Sequence, residues 1–199
     1  MFRRRSGLTG SFAVFVALLA ACSSQPETVD PPSSRPASEN AGFLRELDVE
    51  TDLELECTGT RTNGPPEDFE VVHDAVALPS SPDHPALQTS ARTASDGSTY
   101  YFAKTGLIWK TDSSFELIVP DDQRSRMAIR WGGPAPHAHS VAMNCDGAAE
   151  WVGLPGGYWV TEPFCADLVV RSDDQERTIQ LGLGTPCDSQ AGPQGPSDG

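Results

Sequence analysis

Short apolar runs of period two, separated by turn-forming residues, leave this 199-residue chain few folds to choose from. In Leu53-Glu54-Leu55-Glu56-Cys57 apolar residues alternate with carboxylates, as in a half-buried strand whose inner face includes Cys57. Phe115, Leu117 and Val119 share one face against Glu116 and Ile118. The same alternation holds for Met127, Ile129 and Trp131, for Val141, Met143 and Cys145, and for Ile179, Leu181 and Leu183. Further runs at 70–78, 99–103, 106–110, 149–152, 157–161 and 166–171 are rich in Val, Tyr, Trp and Phe, which suit a pleated, half-buried surface. Asn63-Gly64-Pro65, Asp96-Gly97, Asp146-Gly147 and Gly156-Gly157 read as turns. Helical periodicity is confined to single turns near Phe43–Leu47 and Asp121–Arg126. The expected fold is all-β: an antiparallel β-sandwich, Ig-like or related, over residues 46–187.

Five cysteines refine that expectation. If Cys22 is set aside, Cys57, Cys145, Cys165 and Cys187 remain, and an even number in an exported chain reads as two disulfides. Three connectivities are open. Cys165 and Cys187 flank two strands joined by the polar turn Ser172-Asp173-Asp174-Gln175-Glu176, which favours a Cys165–Cys187 staple. Cys57–Cys145 is then left as a bridge across two packed sheets. The tyrosine and tryptophan spacing of true Ig domains is not matched, so the likeness is one of architecture.

The amino terminus sets the compartment. Arg3-Arg4-Arg5 precedes an apolar block, Phe12–Ala21, which is too short to span a bilayer. Leu19-Ala20-Ala21-Cys22 then resembles the lipobox of bacterial lipoproteins. That resemblance covers residues 1–22. It implies a signal peptide (1–21) removed before Cys22, a diacylglyceryl thioether and fatty acylation (palmitate) on Cys22, and a chain held on the extracytoplasmic face of the cell membrane. Residues 22–45 are rich in Pro, Ser and acidic groups and read as a disordered tether. Residues 188–199 read as a loose tail. The stretch Gly156-Gly157-Tyr158-Trp159-Val160 through Gly182-Leu183-Gly184-Thr185-Pro186-Cys187 is similar to the ends of small secreted actinobacterial proteins of unassigned function. It brings no catalytic residues with it.

Charge narrows the partners. Residues 1–21 hold three of the 14 basic residues and none of the 28 acidic ones, which leaves a formal −17 on the remainder. Such a chain is repelled by phosphates, so nucleic acid is excluded as a partner and anionic headgroups are disfavoured; membrane contact is expected through the anchor on Cys22. A protein or a cell-wall component is the expected partner, and no cofactor is implied.

Two constellations point to chemistry. His137 and His139 stand at i and i+2, the strand spacing of a Cu or Zn site, with His84 as a third ligand. The competing reading puts the pair in a solvent-exposed loop after Pro134-Ala135-Pro136. Trp151, Tyr158 and Trp159 form a candidate stacking platform for a sugar ring, Trp159 being the most exposed by alternation. Trp131 belongs to the core by the same argument. No GxSxG, SxxK or HExxH motif is present, so a non-enzymatic binding module is the leading reading. Metal handling and a glycan-active enzyme are the alternatives. The long aperiodic stretch Pro79–Ser95 and the 132–139 loop are the expected binding edges.

Overall fold

The computed structural model describes residues 47–195. The signal peptide, Cys22 and the whole of the tether lie outside the described residues. Twelve strands form the domain: β1 (Glu50–Glu54), β2 (Thr60–Arg61), β3 (Glu70–Val72), β4 (Val76–Leu78), β5 (Thr89–Thr93), β6 (Thr99–Lys110), β7 (Ser114–Ile118), β8 (Met127–Trp131), β9 (Ala138–Asn144), β10 (Trp151–Val160), β11 (Phe164–Ser172) and β12 (Gln175–Leu183). One 3-10 turn, Asp121–Gln123, joins β7 to β8.

The main path runs β12-β11-β7-β9-β8-β10-β6-β4-β3, with β1 on β9, β2 on β10 and β5 on β6. Every pairing is antiparallel except β1 with β9. The path curls until its ends approach each other. Glu70 on β3 pairs with Arg177 on β12, His73 Nδ1 lies 3.0 Å from Gln175 Oε1, and Leu87 bridges to Leu183. The fold is thus an all-β sandwich whose edges nearly close into a barrel.

The period-two faces predicted from the sequence converge on one core. Phe115, Leu117, Met127, Ile129, Trp131, Val141, Met143, Ile179, Leu181 and Leu183 are all buried in it, Trp131 with no exposed surface. On β7 the alternation is strict, with Phe115 and Leu117 inside. Burying side chains of this size stabilises the fold by about 1.5–3 kcal/mol each.

Both disulfides form with the expected pairing, Cys57–Cys145 and Cys165–Cys187. The second staples the open end of the β11–β12 hairpin, whose two-residue turn Asp173-Asp174 has positive φ at Asp173. The first departs from expectation. It does not cross between packed sheets. Glu54 pairs with Ala142 in the β1–β9 ladder, so three residues further on Cys57 stands beside Cys145, and the bridge links lateral neighbours. Cys57 is accordingly exposed rather than on an inner face.

Four further expectations are corrected. Gly156-Gly157 is not a turn but lies inside β10, and the runs read as separate strands at 99–103 and 106–110 are one strand, β6. These two long strands pair over ten residues, from Trp151↔Lys110 to Val160↔Tyr101. Gly157 has φ 153°, and a Cβ there would lie 2.0 Å from the Ala103 carbonyl oxygen, so glycine is what lets β10 continue past this point. The aperiodic stretch 79–95 contains β5, a strand too polar on both faces to show alternation. The tail also begins later than residue 188: Gln190 accepts from the Cys187 N–H and donates to the Ser81 carbonyl, and the Ala86 N–H donates to the Ala191 carbonyl.

Candidate functional site

The histidines are each engaged, and in different places. His137 precedes β9 and is buried, not in an exposed loop; its ring meets Trp159 edge-to-face at 4.5 Å. His139 Nε2 lies 3.1 Å from the Arg124 carbonyl oxygen. His84 packs against Phe69, with Nδ1 2.6 Å from the Pro85 carbonyl oxygen and Nε2 3.7 Å from Asp68. The proposed His137–His139–His84 ligand set is therefore not assembled, and no group of three His, Cys, Asp or Glu among the described residues is placed to hold a metal ion.

Burial, reinforced by the Arg130 charge, pulls the His137 pKa down to about 4, against an opposing backbone hydrogen bond at Leu47. Its Nε2 is buried without a hydrogen-bond partner. Burial and then Arg124 lower the His139 pKa as well. A histidine that resists protonation when folded leaves the unfolded chain binding the proton first. Its contribution is therefore constant above about pH 6.5 and is lost as pH falls from there towards 4. The melting temperature is expected to drop across that window, and His137→Phe, which keeps an aromatic against Trp159, should flatten part of the drop. An unchanged pH profile in the variant would contradict this account.

The aromatic platform is also rearranged. Tyr158 is wholly inside, edge-to-face with Trp131 at 5.4 Å, and burial raises its pKa. Trp159 is on the outer face of β10 but is covered by Phe102 at 4.4 Å, by His137 and by Arg130, leaving it only 9% exposed. Alternation predicts which face a residue takes; it does not predict what then covers that face. Trp151 is half-buried, with the Lys110 ammonium 5.5 Å from its ring centre.

A depression of about 260 Å³ lies beside Ser80 and Pro82 of the first expected binding edge, and two larger ones are the candidates. A cleft of about 380 Å³ opens between Leu53–Glu56 and the Gly132–Pro136 segment, so the second of the expected binding edges does border a cleft. Leu53, Leu55, Ala135 and Leu154 line it, and Glu54 and Glu56 stand at it. A second groove of about 470 Å³ lies on the outer face of β6, β10 and β2. Thr60, Thr62, Lys104, Ile108 and Pro155 surround it, with Gly106 and Gly153 in its lining. Both volumes lie in the range of small-molecule sites, and Leu154 borders both. Sequence reasoning does not single out this groove, although glycines in two long strands without a carboxylate are a readable signal for a bare sheet face.

No protein-family model, no curated protein and no solved structure matches the chain.

Proposed function

We propose that this protein is a lipid-anchored, extracytoplasmic envelope module that binds a partner rather than catalysing a reaction. The observation that carries the reading is the coincidence of Leu19-Ala20-Ala21-Cys22, which resembles a lipobox, with a downstream domain closed by two disulfides. Disulfides persist in oxidising compartments, and a lipobox directs the chain to one. A diacylglyceryl group alone carries the two acyl chains that stable anchoring needs, and N-acylation would add a third. The absence of hydrolase motifs from the sequence supports a binding role.

Cys22→Ala tests the anchor. The parent is expected to partition into the detergent phase of a Triton X-114 separation and the variant into the aqueous phase. Equal partitioning of the two would refute the anchor.

A further inference from the structure

The chain is strongly acidic, yet its carboxylates are unevenly placed. β5, β6, β8 and β10 contain no aspartate or glutamate, and they carry Arg92, Lys104, Lys110 and Arg130. These strands are neighbours in the sheet. Gly157 pairs with Lys104 on one side and with Arg130 on the other. Directly paired residues project from the same face, so the two cations stand in one row, two strand spacings or about 10 Å apart, with the edge of the Phe102 ring reaching over Gly157 between them. Arg130 is held over Trp159, 5.3 Å from the ring centre, and Lys110 is occupied by Asp74 at 2.5 Å. No ion pair among the described residues involves Arg92, Lys104 or Arg130. Lys104 is exposed and borders the 470 Å³ groove, which continues over Gly106 and Gly153 to Thr60 and Thr62; the Thr62 methyl lies against Gly153 while its hydroxyl donates to the Gly64 carbonyl.

We propose that this face binds a short segment of an anionic glycan. Lys104 and Arg130 meet its carboxylate or phosphate groups, Thr60 and Thr62 meet its hydroxyls, and the glycine floor lets the chain lie close to the backbone. The inference deepens the reading of an exported binding module and rests on it. Charge elsewhere on the domain selects a narrow ligand over a broad one. Exposed Glu50, Asp52, Glu54 and Glu56 form a carboxylate row along and beyond β1, and Glu54 and Glu56 stand at the cleft on the other side of Leu154. A membrane surface or a long polyanion would meet that row; a few sugar residues in the groove would not.

The test titrates detergent-solubilised full-length protein with galacturonate oligomers, glycerol-phosphate oligomers, neutral maltoheptaose and phosphatidylglycerol vesicles, read by tryptophan fluorescence. At least one charged oligomer is expected to bind saturably and maltoheptaose not to bind. Lys104→Gln should weaken binding roughly tenfold, as loss of one charge-assisted contact would. Thr60→Val should weaken it by a smaller factor, and Arg177→Gln on β12 should leave it unchanged. Which oligomer binds separates carboxylate from phosphate recognition. Failure of both, equal binding of maltoheptaose, or undiminished binding by Lys104→Gln would overturn the proposal. Binding of vesicles alone would overturn it in favour of a membrane-facing surface. None of these readouts uses the anchor, so a failed Cys22→Ala experiment and a failed titration are distinguishable.

Discussion

Replacing Cys57 and Cys145 together by alanine is expected to cost about 4 to 5 kcal/mol of folding stability, against about 3 kcal/mol for the Cys165/Cys187 pair. The difference comes from loop length: the first bridge closes a separation of 88 residues and the second one of 22. Local structure points the same way. Among the described residues β1 pairs only with β9, and its exposed residues include the carboxylates Glu50, Asp52 and Glu54. A short, charged strand of that kind resists edge-to-edge association but holds weakly to its own sheet. The hairpin of β11 and β12 has nine paired residues to hold it without its staple. Urea unfolding of the two double variants measures both values. A Cys57/Cys145 variant no less stable than the Cys165/Cys187 variant would contradict the account.

Gly157→Ala is expected to cost about 2 to 6 kcal/mol, a large effect for one methyl group. Two penalties combine. Gly157 has φ 153°, where a side chain is strained by about 1–3 kcal/mol. Its Cβ would also fall 2.0 Å from the Ala103 carbonyl oxygen, a backbone atom that cannot move without parting β10 from β6, and overpacking of this kind costs about 1–3 kcal/mol more. Gly133→Ala, where a Cβ would meet nothing within 4 Å, is the matched control and should change stability little. A Gly157→Ala protein with the parent's denaturation midpoint would show that β10 does not need glycine here.

The core of this fold was open to reading because it depends on alternation. A strand with one buried face writes its orientation into every second residue, and Phe115/Leu117 or Met127/Ile129/Trp131 are found inside for that reason. The disulfide pairing was legible from the hairpin that Cys165 and Cys187 flank. What alternation cannot convey is where a strand's neighbours lie. Alternation alone points Cys57 to a cross-sheet bridge, because nothing in its own segment announces a parallel partner. Gly156-Gly157 looked like a turn because glycine marks both a reversal and a close approach of two backbones. β5, Thr-Ser-Ala-Arg-Thr, has no buried face to announce it. The candidate site was less legible still. Trp159 lies on the outer face as alternation requires, but Phe102, His137 and Arg130 reach it from three other segments and cover it. The groove beside it is made by missing side chains at Gly106 and Gly153, which only strand register brings together.

The central claim is that the domain is displayed from a lipid on Cys22. The most direct test is the mass of the N-terminal peptide from protein purified out of the membrane fraction of its native host. The account predicts a peptide beginning at Cys22, heavier than its sequence by a diacylglyceryl group with or without an added acyl chain. A chain beginning at Met1, or an unmodified Cys22 thiol on soluble protein, would contradict it.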